Sequence, residues 1–351
     1  MFLILALFFS GCFIVLELFR VSKYTSRLLA FIPMFLLLIM IGFNRMNRDY
    51  QSYEYAFLNE YHRESFDFGF AFLVTALENI GMGHEALVFI TGALLIFVVI
   101  KKLNTSNSIN LVIFFYCLFP LIFDINQIRN LFMYLIIILS LTFIENNKPI
   151  KFFILWFLAF SMHKLALVYL LFYFLCKKSR KWFVSKIRLL LILSGIASPL
   201  IMLMLGRIFP EKIAIYLANP PKLGVIVIFV YVIIDIFTVW WVDKRIYSRM
   251  PEEDKGKMEI LYRFVWFPVL ILPFAFYFIE VSRLQRNALL VKYIYCALAM
   301  KYLKFKEKLF VIFLLLLSIS VYIVMLVYNN QLELFQYLDE NILKYYLGKY
   351  Y

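Results

Sequence analysis

The feature that most constrains this chain is a succession of long apolar runs. They fall at about 2–19, 28–43, 86–100, 109–123, 131–144, 152–176, 189–206, 223–242, 261–279, 288–300 and 309–328. A helix needs about 20 mostly apolar residues to cross a bilayer, and a segment in lipid has to satisfy its own backbone hydrogen bonds. The runs therefore predict an all-α, polytopic integral membrane protein with about 12 membrane-inserted helices. We expect residues 1–351 to form a single transmembrane domain.

Composition supports this fold class and narrows the function. Hydrophobic residues make up 64% of the chain and charged residues only 17%, whereas soluble domains are about 25% charged. The net charge of +14 would suggest nucleic acid in a soluble protein. In a membrane protein, Lys and Arg instead mark the cytoplasmic loops. We therefore expect the chain to lie in a lipid bilayer and not to bind nucleic acid.

The N-terminus and the cysteines have simple interpretations. The start, "MFLILALFFSGC", lacks the basic region of a signal peptide, so we expect a retained first span that begins outside. The alternative is a lipoprotein cleavage box at "FSGC". The four cysteines all lie in apolar runs at wide spacing, which is typical of small core residues rather than of disulfides or metal ligands.

The basic loops predict the topology. With "RVSKYTSR" in the cytoplasm, the other basic loops also fall inside if the run 152–176 both enters from the cytoplasm and returns to it. A single span there would export the most basic loop, "KKSRKWFVSKIR", against the positive-inside rule. Because 25 residues are too few for two crossings, we expect a broken or re-entrant helix pair, 152–162 and 165–176, with His163 at the bend.

The same topology places two longer segments outside the cell membrane. Residues 44–85 form an extracytoplasmic loop, in which "GFAFLVTALENIG" is amphipathic and too short to span. We expect an interfacial or re-entrant helix there, ended by the glycines of "GMG". Residues 329–351 form an extracytoplasmic C-terminal tail. Because successive spans alternate in direction across the membrane, the same topology also assigns Lys292 to the outer side.

Charged residues, with one glutamine among them, recur on the predicted outer face, where topology does not require them. They stand in "FNRMNRDYQSY", "FDINQIRN", "MHK" and "IEVSRLQRN", and comprise Arg45, Arg48, Asp49, Asp124, Gln127, Arg129, His163, Lys164, Glu280, Arg283 and Arg286. The turns at 124–130 and 280–287 are too short to leave the membrane surface, so their charges sit at the outer ends of their helices and can converge on one pocket. Arginine makes bidentate contacts to phosphate, which predicts a site for an anion with several oxygens. The alternatives are headgroup contacts, an Arg48–Asp49 pair and a core histidine.

Motifs of other enzyme classes are missing from the sequence. There is no HExxH, DxD, EF-hand, P-loop or GxSxG pattern, and the chain has three histidines. We therefore expect no metal and no cofactor. One carboxylate, Asp235 in "VYVIIDIFTV", is clearly intramembrane, whereas a proton-coupled transporter usually has chains of them.

Five motifs in order carry a family resemblance. They are "NRDYQSY" (47–53), "FGFAFL" (68–73), "INQIRN" (125–130), "SMHKLAL" (161–167) and "VSRLQR" (281–286). Over about residues 40–290 the chain resembles the EpsG-type branch of the Wzy-like polysaccharide polymerases. It departs from the expected pattern at Asn130, where Gln is typical, and at Leu165, where Ser is typical.

The resemblance implies a metal-independent glycosyltransferase of GT-C-like architecture in the bacterial cytoplasmic (inner) membrane. Such an enzyme transfers a glycan from undecaprenyl pyrophosphate to the non-reducing end of a second lipid-linked unit, on the periplasmic side. The general base would be Asp49 or His163, and Tyr50 and Tyr53 would contact sugars unless they are interfacial anchors. The pyrophosphate would be bound by Arg45, Arg48, Gln127, Arg129, Lys164, Arg283 and Arg286.

Other functions stay open at this stage. A flippase for the same lipid-linked sugars would also need about a dozen helices, but with charges deep in the spans and internal symmetry. An O-antigen ligase-like glycosyltransferase would differ in acceptor only. An acyltransferase would need an inner catalytic base, and no histidine lies there. A polymerase of this type would have a chain-length regulator and a flippase as possible partners.

Overall fold

The structure is a computed structural model that describes residues 1–19, 21–44, 49–176, 179–208, 222–277 and 282–328. Within these ranges the chain forms α-helices and two 3-10 segments and no strand, which confirms the all-α class. Arg45, Arg48, Glu280 and the tail 329–351 lie outside the described residues.

The helices follow one another along the chain with short connections. They are α1 (Phe2–Leu18), α2 (Lys23–Gly42), α3 (Tyr50–Leu58), α4 (Glu60–Glu64), α5 (Phe68–Asn79), α6 (His84–Lys102), α7 (Ile109–Leu118), α8 (Leu121–Asp124), α9 (Ile128–Glu145), α10 (Pro149–Met162), α11 (Val168–Cys176), α12 (Arg180–Ile208), α13 (Lys222–Ile246), α14 (Glu252–Trp266), α15 (Ser282–Ala299) and α16 (Phe305–Tyr328). The 3-10 segments are Lys164–Leu167 and Phe267–Phe276.

Seven of the described helical stretches are long and apolar enough to cross a membrane. They are α2, α6 and α9, most of α12, α13 and α16, and the continuous stretch Glu252–Phe276. This confirms a polytopic membrane protein. Shorter apolar helices lie between them, and the count of about 12 inserted helices stays a prediction.

The run 152–176 is broken at the expected residue. Helix α10 ends at Met162, and His163 adopts an extended conformation before the 3-10 segment. The ring of Phe152 stacks on that of Tyr173 with 4.5 Å between centroids, so α11 folds back along α10. With 14 residues, α10 is about 21 Å long, too short for a bilayer core of about 30 Å. The structure therefore has the helix pair with its bend at His163.

The loops predicted to be cytoplasmic meet at one end of the helix bundle, called here the basic end. Ion pairs and hydrogen bonds join them: Arg180–Asp243 (2.6 Å), Arg249–Glu307 (2.6 Å), Lys301–Asp254 (2.8 Å), and Lys257 Nζ to the Lys102 carbonyl (2.6 Å). These contacts draw on four of the five basic loops between α6 and α16, those that contain Lys102, Arg180, Arg249 and Lys301. One alternation of up and down helices accounts for all four.

Among the described residues, those that line the predicted outer pocket lie at the opposite end, called here the site end; they include Asp49, Gln127, Arg129, His163 and Arg283. Helix α9 shows the separation, because Arg129 stands at its start and Thr142 near its other end accepts a hydrogen bond from Lys102 (2.7 Å). The two residues are 13 positions apart in the sequence, which corresponds to about 20 Å along the helix. At the site end, Gly81 with φ of +74° ends α5, as the "GMG" pattern predicts.

A buried ion pair joins three helices in the middle of the bundle. The Lys292 side chain is fully buried, and its Nζ donates hydrogen bonds to Asp235 Oδ1 and to Ser318 Oγ. Ser318 Oγ in turn donates to the same carboxylate oxygen (2.6 Å). The structure thus buries Lys292 instead of exposing it at the outer face, and it gives the intramembrane acid Asp235 a counter-ion.

We expect Lys292→Met to destabilise the protein strongly, because it leaves the Asp235 carboxylate buried without a counter-ion, a loss of about 3–5 kcal/mol. The double variant with Asp235→Leu should recover much of the stability. Thermal denaturation of detergent-solubilised protein, followed by size-exclusion chromatography, measures both. Lys306→Met, at an exposed position, is the control. Equal melting of the Lys292 and Lys306 variants would contradict the role of the pair.

Candidate anion-binding site

A cavity of about 260 Å³ opens at the site end. Its lining comes from five separate parts of the chain and comprises Asp49, Ser52, Tyr53, Phe66, Gln127, Arg129, Asn130, His163 and Arg283. The structure therefore brings together six residues that the sequence singled out, namely Asp49, Tyr53, Gln127, Arg129, His163 and Arg283.

The start of α3 forms one wall of the cavity. Asp49 directly precedes the helix, and its carbonyl accepts a hydrogen bond from the Tyr53 N–H (3.2 Å) one turn later. The Tyr53 ring packs on Phe66 and Phe70, with centroids 6.1 and 5.8 Å away. Burial raises the pKa of Tyr53, although the nearby positive charge of Arg129 opposes that shift. The phenol therefore stays protonated at neutral pH and can donate a hydrogen bond.

Arg129, the second residue of α9, lies against aromatic rings at the cavity wall. Its Cζ is 4.6 Å from the Phe66 centroid and 5.4 Å from the Phe70 centroid, a cation–π arrangement that orients the guanidinium. Its Nη1 donates to Asp67 Oδ2 (3.3 Å), and its buried Nε has no hydrogen-bond partner within the described residues. The guanidinium is thus held in place, and its N–H groups are not all used by contacts within the described residues.

Asp67 is a site residue that the sequence analysis missed. Besides Arg129, it pairs with Lys164, whose Nζ lies 3.6 Å from Oδ1. Gly69 allows this placement, because a Cβ there would lie 2.1 Å from Ser161 Oγ on α10. The contact brings the start of α5 against the end of α10. Its sequence signal was the position of Asp67 one residue before the "FGFAFL" motif.

His163 presents a hydrogen-bond donor to the cavity. Its Nδ1 accepts a hydrogen bond from the Leu165 N–H (3.1 Å), so the proton of the neutral ring is on Nε2. The donor at position 165 is a backbone group, which is why leucine in place of the family's serine leaves this bond intact.

Behind the cavity, a buried network orients Gln127. Asp124 is fully buried, accepts hydrogen bonds from Tyr116 (2.8 Å) and Tyr134 (2.6 Å), and lies 3.6 Å from Arg286 Nε. Arg286 Nη2 donates to Gln127 Oε1. Since that oxygen is occupied, the amide NH₂ of Gln127 is the group left for the cavity. Arg286 itself does not line the cavity and supports it from behind.

A second buried network ties the site-bearing helices together. Asn130 Nδ2 donates to Asn287 Oδ1 (2.9 Å), and Asn287 Nδ2 lies 3.2 Å from the Tyr169 hydroxyl. These three side chains come from α9, α15 and α11. Asn130, where the resemblance led us to expect glutamine, therefore bonds to Asn287 and helps to hold these helices together.

The remaining predicted residues lie elsewhere. Lys164 is exposed at the rim, with 83% of its side chain accessible. Tyr50 does not line the cavity, because its hydroxyl donates to Glu54 (2.8 Å) and its ring packs edge-on against His84, centroids 4.9 Å apart. Arg45 and Arg48 lie outside the described residues, so their place at the site stays a prediction.

The electrostatics of the cavity favour an anion. Arg129, Arg283, His163 and the Gln127 amide supply donors, while Asp49 is the one carboxylate among the described lining residues. Helices α9 and α15 both begin here, and helix N-termini carry partial positive charge. In the described part of the chain, no three His, Cys, Asp or Glu side chains form a metal-binding group.

Comparison with known families agrees with the motifs now seen around this cavity. The model of the EpsG family matches residues 27–339. This chain belongs to the EpsG family. The match includes the whole cavity lining of this EpsG protein, and membership supports a polymerase-like role in polysaccharide biosynthesis. No curated protein and no solved structure shows significant similarity to it.

We expect Gln127→Glu to weaken binding of inorganic pyrophosphate to this EpsG protein by tenfold or more. The glutamate keeps an acceptor for Arg286 but turns a negative oxygen toward the cavity in place of an N–H donor, a change on the order of 1–3 kcal/mol. Titration of the detergent-solubilised protein by calorimetry measures it. Gln51→Glu adds the same charge at an exposed residue of α3 and should change the affinity little. Equal affinities for the two variants would refute the orientation assigned to Gln127.

Proposed function

We propose that this EpsG protein is a membrane polysaccharide polymerase, a glycosyltransferase that joins lipid-linked oligosaccharide repeat units. The donor glycan leaves undecaprenyl pyrophosphate and is transferred to the non-reducing end of a second lipid-linked unit. The observation that carries this proposal is the donor-rich cavity that Arg129, Arg283, His163 and Gln127 form at one end of a membrane bundle.

The cavity faces the extracytoplasmic side in this proposal. The opposite, basic end collects the Lys- and Arg-rich loops, and the positive-inside rule assigns such loops to the cytoplasm. The segment 44–85 is then extracytoplasmic, with α5 near the membrane interface, and the protein lies in a bacterial inner membrane. A flippase would deliver the substrate to this side, and a chain-length regulator would act on the growing product.

The reaction can be written with the residues of the cavity. The acceptor hydroxyl oxygen attacks the anomeric carbon of the donor, and the bond from that carbon to the phosphate oxygen breaks. The leaving undecaprenyl pyrophosphate takes the electron pair. Arg129 and Arg283 bind the phosphate oxygens and stabilise the charge that develops on them. No step in this scheme requires a metal or a cofactor.

Asp49 is the better candidate for the general base. A base needs an available lone pair, and His163 has its Nδ1 occupied by the Leu165 N–H and carries its proton on Nε2. We therefore assign the acceptor proton to the Asp49 carboxylate and make His163 a hydrogen-bond donor to the leaving phosphate. Tyr53, protonated at neutral pH, is a second donor on the same wall.

Two further residues, Asp67 and Arg286, act as positioning residues in this proposal. Asp67 pairs with both Arg129 and Lys164, so it holds the guanidinium ready while the site is empty, and substrate phosphates would compete with it. Arg286 acts through Gln127, because it is buried behind the cavity instead of lining it. We therefore no longer assign Arg286 as a phosphate ligand, and propose instead that it orients Gln127.

We expect Arg129→Ala to abolish polymerisation without abolishing delivery of repeat units. In the native host, the ladder of surface glycan on a gel should collapse to single repeat units, because the charge on the leaving pyrophosphate is no longer stabilised. Arg207→Ala removes an exposed arginine near the end of α12 and should leave the ladder unchanged. Immunoblotting of membranes checks that both variants are present.

The same gel separates the alternatives. Loss of all surface glycan, with units trapped inside the cell, would indicate a flippase. Long chains that stay on the lipid carrier would indicate a ligase. An unchanged ladder in Arg129→Ala would contradict a role of this cavity in the reaction.

We expect Asp49→Asn to lower the polymerisation rate by about 10²–10⁴-fold, the usual contribution of a general base. Inorganic pyrophosphate should bind the variant at least as tightly, since a negative charge is removed from the cavity. The rate is measured with purified protein and lipid-linked repeat units from the host. Glu64→Gln, an exposed change at the same end, is the control. A normal rate in Asp49→Asn would return His163 to the role of base.

A further inference from the structure

A second cavity, of about 140 Å³, lies at the basic end of the molecule. It is enclosed by the end of α1, the start of α7 and the start of α16, and its lining comprises Glu17, Asn107, Ser108, Met300, Lys301 and Lys308. None of these residues belongs to the candidate catalytic cavity, which is at the other end of the bundle.

Glu17 is the unusual residue of this cavity. It is only 5% exposed, and its Oε1 accepts hydrogen bonds from Ser26 Oγ (2.5 Å) and Asn110 Nδ2 (2.8 Å). Its Oε2 is buried and has no hydrogen-bond partner within the described residues. Leaving a buried acceptor unpaired is costly, so a ligand donor that reached this oxygen would supply the missing hydrogen bond.

Positive charge stands beside this carboxylate. Lys308 is 5% exposed and its Nζ donates to the Leu18 carbonyl (3.3 Å), one residue from Glu17. Lys301 pairs with Asp254 (2.8 Å) but keeps 31% of its side chain accessible. The cavity therefore presents an acceptor oxygen and two ammonium groups.

This combination selects the chemistry of the ligand. A purely anionic ligand would meet the Glu17 carboxylate, and a simple cation would meet two lysines. A molecule with a primary ammonium and a phosphate satisfies both. The cavity lies at the helix ends of the basic end, the level at which the headgroups of a bilayer leaflet lie, and basic pockets between membrane helices bind lipid headgroups.

We propose that this cavity binds the headgroup of a phospholipid with a primary ammonium, of the phosphatidylethanolamine class. The ammonium donates to Glu17 Oε2, and the phosphate contacts Lys308 and Lys301. The proposal is independent of the reaction at the site end and gives the basic end a specific lipid partner.

Native mass spectrometry of the full-length protein tests the proposal, with phosphatidylethanolamine, phosphatidylcholine and phosphatidylglycerol of identical acyl chains. We expect phosphatidylethanolamine to be retained at least about tenfold better than phosphatidylcholine, because the quaternary ammonium has no N–H to donate to Glu17. Soluble phosphoethanolamine, added alone, shows whether the headgroup suffices or the acyl chains are needed. For a lipid site we expect soluble phosphoethanolamine not to bind. If it binds tightly without acyl chains, the ligand of this cavity is a soluble molecule and the lipid proposal is wrong.

Two variants locate the site. Glu17→Gln should reduce retention of phosphatidylethanolamine to the level of phosphatidylcholine, while its Oε1 still accepts from Ser26 and Asn110. Glu145→Gln makes the same change at a half-buried glutamate of the basic end and should have no effect. Lys308→Met should weaken both phosphatidylethanolamine and phosphatidylglycerol.

Equal retention of the three lipids by the unmodified protein, or an undiminished preference in Glu17→Gln, would overturn the proposal. If Glu17→Gln is not recovered as monodisperse protein, Lys308→Met decides the question. Undiminished retention of phosphatidylethanolamine by that variant rejects the site, and reduced retention supports it.

Discussion

The site end of this protein depends on the buried ion pair between Asp124 and Arg286. Arg286 is buried in a membrane protein, where a charge without a partner is costly. Asp124 provides that partner, and the hydroxyls of Tyr116 and Tyr134 satisfy its other oxygen. The pair joins the start of α15 to the segment before α9, so the two helices that carry Arg283 and Arg129 are held at a set distance around the cavity.

The same constraint explains the other charges along the bundle. Lys292 and Asp235 compensate each other in the middle of the bundle, and Arg129 is balanced by Asp67 at the site end. Two of the buried polar atoms left unpaired, Arg129 Nε and Glu17 Oε2, belong to residues that line the two cavities.

Backbone geometry places the functional side chains as much as side-chain chemistry does. His163 stands at a helix break, Arg129 and Arg283 in the first turn of their helices, and Asp49 directly before α3. Helix ends have unpaired backbone groups and partial charges. Gathering four such ends at one place creates a polar pocket in an otherwise apolar bundle without burying a polar helix face in lipid.

The sequence by itself determined the membrane fold, the break at His163 and the set of charged residues at the predicted outer end. Those features follow from local patterns, namely apolar runs of fixed length, the distribution of Lys and Arg, and short motifs. Only the tertiary structure decided which charges pair. Asp67 and Arg129 are 62 residues apart, Asp235 and Lys292 are 57 apart, and Gln127 and Arg286 are 159 apart. Whether an arginine lines a cavity or supports it from behind depends on how separate helices pack, and no local pattern in the chain records that packing.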